Sequence, residues 1–309
     1  MSELKMQAIR IHDYGGLDAL VLEEAPRPEP QADQVLVRVK AAGVNPADGA
    51  MRSGAFRQFM SLQFPWTPGL EGAGVVEAVG AQVTEFKPGQ EVYGFLISGY
   101  AQYAVANAKD IHVKPSNLSM EEAASAPMGA LMAWGAVVET AKVETGQAVL
   151  IHGAAGGIGS YATQLAHWKG AYVIGTTAKG NLEFVRSLGA QMVIDYDESP
   201  FESVVQDVDV VIDTVGGDTQ DRSLPVMQSG GIFVTVTGRP SPEAGKAQGL
   251  RVVSAGRPDT GKLGQISELL AAKTILPTIR AVFPLADARK AQELSETRHG
   301  RGRIVLSMP

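Results

Sequence analysis

Apolar positions in the first third of the chain come in short runs rather than long periodic stretches. Residues 6–11 and 35–40 alternate or run apolar, as strands do. Pro26, Pro28 and Pro30 break the chain between them. A Gly/Val run over 72–80 leads into a Lys87-Pro88-Gly89 turn, followed by strand-like segments at 91–95 and 100–106. Several short strands punctuated by turn residues predict a barrel or a sandwich.

The pattern changes near residue 118. Ser119 and Glu122 have the spacing of a capping box, and an alanine-rich stretch to Lys142 predicts helix, interrupted at Pro127. From there apolar strands alternate with helices. Strands are expected at 148–152, 171–175, 191–195, 208–213, 231–236 and 250–254. Helices are expected at about 157–169, 181–188 and 218–228, ending near Gly170, Gly189 and Gly230 as C-terminal glycines would. The connection around 200–206 is short and weakly helical. Six βα-type repeats predict a doubly wound, six-stranded parallel sheet, and nearly all-apolar strands fit a sheet covered on both faces. Residues 259–273 predict one more helix. Residues 274–309 return to strand, helix, strand and are expected to rejoin the first part. The expected domains are 1–117 with 274–309, and 118–273 between them.

A length of 309 residues agrees with two domains. The net charge of −6 argues against nucleic acid, which needs a basic surface. Arg298, Arg301 and Arg303 form the only approach to a basic cluster, and they fit a solvated turn before a strand. The chain has no cysteine, so disulfides and cysteine–metal sites are excluded. No apolar run is long enough for a membrane span. A cytoplasmic location, no membrane partner and no nucleic-acid partner are the expectations.

The strongest chemical signal is the segment Val149-Leu150-Ile151-His152-Gly153-Ala154-Ala155-Gly156-Gly157-Ile158-Gly159. It follows the dinucleotide fingerprint with Ala154 in the first glycine slot and Gly156 and Gly159 in the other two. Gly156 allows the backbone close to a pyrophosphate, Gly159 allows the helix close to the strand, and the helix N-terminus offers N–H groups to the anion. A strand before it and a helix and strand after it are the required context. An NAD site usually places a carboxylate at the end of the second strand. Here Thr176, Thr177, Ala178 and Lys179 follow Gly175, and no carboxylate occurs before Glu183. Thr177 and Lys179 suit a 2′-phosphate, so NADP(H) is the expected cofactor. Lys179 as an ordinary solvated loop residue is the alternative. Val215-Gly216-Gly217, after the fourth strand, either lines the cofactor groove by its backbone or is a plain βα turn.

Asn45-Pro46-Ala47-Asp48, the 68–74 stretch Pro-Gly-Leu-Glu-Gly-Ala-Gly, the 154–159 turn and Gly302-Arg303-Ile304-Val305-Leu306 occur in an order that resembles the medium-chain dehydrogenase/reductases. The closest branch resembles the quinone oxidoreductases, the ζ-crystallin-like group. The resemblance covers nearly the whole chain. It implies a GroES-like catalytic domain, an inserted Rossmann domain, a cleft between them and a homodimer. It also implies that Tyr196 lies near the adenosine ribose phosphate and Thr237-Gly238 near the nicotinamide. Alternatively, Tyr196 closes a strand and Thr237-Gly238 is a turn before Pro240.

The zinc-dependent relatives resemble Gly-Val-Cys-x-x-Asp and Gly-His-Glu at two stretches where this chain has Gly43-Val44-Asn45 and Gly69-Leu70-Glu71. With thiolate and imidazole replaced, and no paired spacing among the five histidines, no metal site is expected. The resemblance puts Asn45 at the cleft beside the nicotinamide, where its amide would position substrate or cofactor; a turn asparagine before Pro46 is the alternative. Ala50 and Phe56 stand where many relatives carry tyrosines, so Phe56 supplies only an apolar pocket wall. Met132 stands near a threonine of many relatives. The expected reaction is NADPH-dependent hydride transfer to a small quinone or α,β-unsaturated carbonyl without zinc. The alternatives are an enoyl-thioester reductase on the same frame and a cofactor-binding regulatory protein without turnover.

Overall fold

The computed structural model describes residues 4–309. Strand β1 (Lys5–Arg10) pairs antiparallel with β2 (Val21–Pro26). The long β3 (Gln34–Val44) follows, and helix α1 (Pro46–Arg52) links it to β4 (Glu71–Val79). Asn45 is the N-cap of α1, Pro46 occupies its first turn, and the Asn45 N–H donates to the Asp48 carboxylate at 2.8 Å. Strands β5 (Glu91–Phe95), β6 (Tyr103–Asn107) and β7 (Ile111–Val113) complete this part.

The alanine-rich stretch is not one helix. It divides into α2 (Met120–Ala124), α3 (Pro127–Trp134) and a wider π turn over 135–140. Ser119 and Glu122 exchange both bonds of the capping box, at 3.1 and 2.8 Å. Pro127 has no N–H to continue the first helix, so it starts a second.

The parallel sheet is built from β8 (Ala148–His152), β9 (Tyr172–Thr177), β10 (Met192–Asp195), β11 (Val208–Asp213), β12 (Met227–Thr235) and β13 (Arg251–Ser254). Its connections carry α4 (Gly159–Trp168), α5 (Leu182–Ser187), α6 (Thr219–Ser223) and α7 (Pro242–Lys246). The spatial order is β10-β9-β8-β11-β12-β13, the doubly wound order that puts a ligand crevice at the strand C-termini between the two halves. Two expected helices are shorter than their pattern. The 218–228 stretch tightens into a 3₁₀ turn at Leu224–Val226 around Pro225, and β12 already begins at Met227. The 259–273 stretch is regular α8 (Leu263–Ala271) only after a 3₁₀ turn.

The last segment contributes β14 (Ile279–Pro284), α9 (Ala288–Glu296) and β15 (Arg303–Ser307). β15 pairs antiparallel with β3, so the C-terminal strand enters the N-terminal sheet, ordered β14-β15-β3-β4-β5-β7 with β6 also on β3. The fold is thus α/β, with a GroES-like β-rich part and a Rossmann sheet. At its start β15 also touches the other part: the Gly302 N–H donates to the Ala155 carbonyl at 2.9 Å.

Candidate active site

The turn after β8 brings Ala154, Ala155, Gly156, Gly157 and Ile158 to the N-terminus of α4, whose first residue is Gly159. Ala154 and Ala155 are buried. A Cβ at Gly159 would overlap the Gly153 carbonyl oxygen, so glycine there sets how closely α4 approaches the strand. Of the first amides of α4, the Ser160 N–H already donates to the Gly156 carbonyl at 2.9 Å and the Ala162 N–H to the Ile158 carbonyl at 3.0 Å, which leaves those of Gly159 and Tyr161 for an anion.

Beside this turn lies a buried polar network. Glu71, at the start of β4, is wholly buried and Arg303, at the start of β15, is 6% exposed. The two form an ion pair. Asn45, 3% exposed, donates from Nδ2 to Glu71 Oε1 at 2.8 Å and accepts at Oδ1 from Arg303 Nη2 at 2.8 Å. Glu71 Oε2 accepts the Met128 N–H from α3 at 2.7 Å. A carboxylate can only accept and a guanidinium can only donate, so the Asn45 amide has one orientation, with one Nδ2–H left over. Gly43 makes the room for this arrangement: a Cβ there would lie 2.5 Å from Glu71 Oε1. The Arg303 side chain runs against the dinucleotide turn, since a Cβ at Gly157 would stand 2.6 Å from Arg303 Cδ. Arg303 Nε is buried without a partner. An unpaired buried donor beside a helix N-terminus fits an anionic group such as a dinucleotide pyrophosphate.

The crevice continues along the C-termini of β11 and β12. A pocket of about 300 Å³ there is lined by Val215, Gly216, Thr237, Gly238, Arg239 and Arg298, among others. Val215, Thr237 and Gly238 therefore share one pocket. Asp213 also lines it, but its carboxylate accepts the Val215 and Gly216 N–H groups, both at 3.0 Å, and the Thr235 hydroxyl at 3.2 Å. Phe56 is exposed on the turn after α1 and does not line the pocket. From that turn it is the Phe59 ring that approaches Arg239, a residue of the pocket, with 5.8 Å between guanidinium and ring centroid. A larger groove of about 570 Å³, between α4, α5 and residues 273–278, contains none of the expected site residues.

At the other end of the crevice, Thr177 closes β9 and is buried, while Lys179 is exposed two residues on. Tyr196 follows β10, is 46% exposed and donates its N–H to the Thr177 carbonyl at 3.2 Å. The three thus stand together on one corner of the sheet. Asp195 pairs in register with Thr177, a carboxylate the sequence reading did not weigh; it is buried and accepts the Asp197 N–H at 3.1 Å.

Burial pushes the phenols of Tyr93, Tyr100 and Tyr161 well up, and it shifts two groups that titrate at lower pH. Burial lifts the Asp48 carboxyl to about 6, with the Glu71 charge adding to the rise and hydrogen bonds from Asn45 and Tyr100 opposing it. Burial lowers His152, at the end of β8, to about 4. Its ring bonds Thr176 and Ser223 instead, at 3.2 and 2.9 Å. Between pH 4 and 6 the folded chain holds a proton on Asp48 that the unfolded chain has lost, so this group's contribution falls as pH rises. In much the same window the unfolded chain protonates His152 and the folded chain does not, so that contribution rises with pH. Each is worth on the order of 3 kcal/mol, and they oppose. Urea unfolding of the wild type should therefore vary little between pH 4 and 6.5. Asp48→Asn should become more stable as pH rises through this window, and His152→Asn less stable. Parallel curves for all three proteins would contradict the assignment.

Among the described residues, no three His, Cys, Asp or Glu side chains gather as a metal-ligand set, and no helix is long and apolar enough to cross a membrane.

Comparison with known proteins agrees with this geometry. Residues 31–153 match the alcohol dehydrogenase GroES-like domain and residues 188–306 the zinc-binding dehydrogenase domain. The chain is 34% identical to the chloroplastic NADPH-dependent alkenal/one oxidoreductase of Arabidopsis thaliana, over 98% of this chain and 79% of that protein. It is 31% identical to the quinone oxidoreductase of Mus musculus, over 96% of each. The solved quinone oxidoreductase of Coxiella burnetii superposes with a TM-score of 0.91 at 32% identity, covering 99% of this chain and all of that one. A Rossmann crevice, an anion-binding turn and a β-rich partner sheet closed by its own C-terminal strand all belong to one family, and this chain is a medium-chain dehydrogenase/reductase of the quinone oxidoreductase-like group.

Proposed function

We propose that this oxidoreductase uses NADPH to reduce a small α,β-unsaturated carbonyl or quinone, without a catalytic metal. The observation that carries the reading is the Arg303 bridge, which abuts the dinucleotide turn at Gly157 and bonds the Asn45 amide at 2.8 Å. It joins the place for the cofactor's phosphates to the place for the acceptor. Ala154, Ala155, Gly156, Gly157, Ile158 and Gly159 hold the pyrophosphate. Val215, Thr237 and Gly238 border the nicotinamide, and Thr177, Lys179 and Tyr196 receive the 2′-phosphate. When bound there, NADPH would supply the hydride for the acceptor's activated carbon, with the accompanying proton drawn from water. Asn45 offers its remaining Nδ2–H to the acceptor oxygen, where charge develops. Phe59, on the turn after α1, provides apolar cover in place of Phe56. Asn45 and Leu70 stand where zinc ligands would need thiolate and imidazole, which supports the metal-free form. The division into 1–117 with 274–309 and 118–273 belongs to the same reading. So do a cytoplasmic location and a homodimer, the latter supported by β13, which pairs on one side only.

Titration of nicotinamide fluorescence with NADPH and NADH, followed by a panel of enones and quinones, tests the proposal. NADPH should bind at least tenfold more tightly than NADH. Lys179→Ala should weaken NADPH about tenfold, the worth of one charge-assisted hydrogen bond, and leave NADH unchanged. Equal affinities in the wild type would remove the 2′-phosphate argument. Binding without acceptor-dependent oxidation would remove the enzymatic one.

A further inference from the structure

We infer that the acceptor carries an anionic group, a carboxylate in its simplest form, held by Arg239 and Arg298 at the mouth of the β11–β12 pocket. The inference rests on the proposed reductase reading and adds a substrate class to it.

Both arginines line the pocket and both are exposed. Among the described residues neither enters an ion pair, although the chain carries a net charge of −6 and thirteen Lys/Arg–carboxylate pairs form elsewhere. The one carboxylate lining the same pocket, Asp213, is buried and engaged by two backbone N–H groups and the Thr235 hydroxyl. The charge presented to an incoming molecule is therefore positive.

The two side chains arrive from separate elements. Arg239 follows β12, and its guanidinium lies over the Phe59 ring of the turn after α1 at 5.8 Å. Arg298 lies just beyond α9 with φ +54°, the left-handed region that glycine or asparagine fills most easily after a helix. A side chain bears a conformational cost there, and this one lines the pocket; strained positions of that kind gather at ligand sites. Thr237 and Gly238 immediately precede Arg239, so the cations stand next to the part of the pocket assigned to the nicotinamide. A guanidinium pair suits a planar carboxylate, which accepts two parallel N–H bonds.

The test compares 6-oxooct-7-enoate, a vinyl ketone with a terminal carboxylate, with its methyl ester under NADPH. The reacting enone is the same in both. The acid should show a kcat/KM about tenfold above the ester's, and the advantage should shrink with added salt. Arg239→Gln and Arg298→Gln should each move the acid-to-ester ratio towards one, with NADPH affinity measured alongside. An equal rate for acid and ester in the wild type would overturn the inference while leaving the reductase reading intact. A loss of NADPH affinity matching the loss of ratio would assign the arginines to the cofactor and overturn it too. If neither compound is reduced, the reductase reading fails and takes this inference with it.

Discussion

Glu71→Leu is expected to lower the free energy of unfolding by about 3–5 kcal/mol, as measured by urea denaturation. Glu71 is wholly buried, and its two oxygens serve three partners from three elements: Asn45 before α1, Arg303 in β15 and the Met128 N–H in α3. Leucine fills similar space but leaves a guanidinium buried and short of its counter-charge. The Asn45 and Met128 N–H groups lose their acceptor as well. Glu71→Gln should cost less, because its one carbonyl oxygen can still accept on one side while its NH₂ opposes a donor on the other. The double variant Glu71→Leu with Arg303→Met gives the sharper reading. Removing both charges abolishes the uncompensated ion, so the pair should lose clearly less than the two single variants added together. Additive losses would mean that the ion pair contributes little and that the residues matter only as packing. The same substitutions bear on activity: without Glu71 and Arg303 the Asn45 amide can rotate, and the Nδ2–H proposed to meet the acceptor is no longer fixed.

None of this network could be read along the chain. Glu71 and Arg303 are 232 residues apart, and their meeting depends on β15 crossing back to pair with β3. Both residues lie within motifs that the sequence brings to notice, but their pairing leaves no local signature. The parallel sheet was legible for the opposite reason. Strands such as β8 and β11 are covered on both faces, so almost every residue is apolar and each is followed by a short turn and a helix. The dinucleotide turn was legible because strand, turn and helix are contiguous. Helix limits were less so, since Pro225 and Pro127 act on hydrogen bonding while the apolar pattern runs on past them. The end of β3 was hidden as well. Ala41, Ala42 and Gly43 have weak strand preference by themselves and are extended because β4 and β15 pair on either side. His152 ends an apolar strand and gave no hint that its ring would be buried against Thr176 and Ser223. Phe56 was singled out by its position after the Asn45 motif, yet three residues further along the same turn Phe59 is the ring that reaches Arg239, a difference of projection that a sequence alignment does not carry.

Gly159→Ala and Gly156→Ala should separate two roles within one turn. A Cβ at Gly159 would overlap the Gly153 carbonyl oxygen and lie 3.0 Å from Ala154 Cα. All of these are backbone atoms, so no side chain can swing aside; α4 must move away from β8. Overpacking of this kind costs about 1–3 kcal/mol or more. It also displaces the helix N-terminus proposed to face the cofactor's phosphates, so NADPH affinity should fall by at least tenfold together with stability. At Gly156 the nearest atom to a Cβ is the same carbonyl oxygen, but at 3.2 Å, a contact that a shift of a few tenths of an ångström relieves. Its φ is not in the left-handed region, so alanine is conformationally acceptable there. Gly156→Ala should therefore unfold within about 1 kcal/mol of the wild type. Its methyl group would instead stand where the pyrophosphate comes against the backbone, and NADPH affinity should drop while the fold holds. Unfolding curves and fluorescence titrations on both variants distinguish the cases. A Gly159→Ala protein as stable as the wild type would mean that α4 does not depend on that close approach. A Gly156→Ala protein that binds NADPH normally would mean that the dinucleotide does not contact the turn at that residue, and the cofactor assignment would then rest on Arg303 and the first-turn amides of α4 alone.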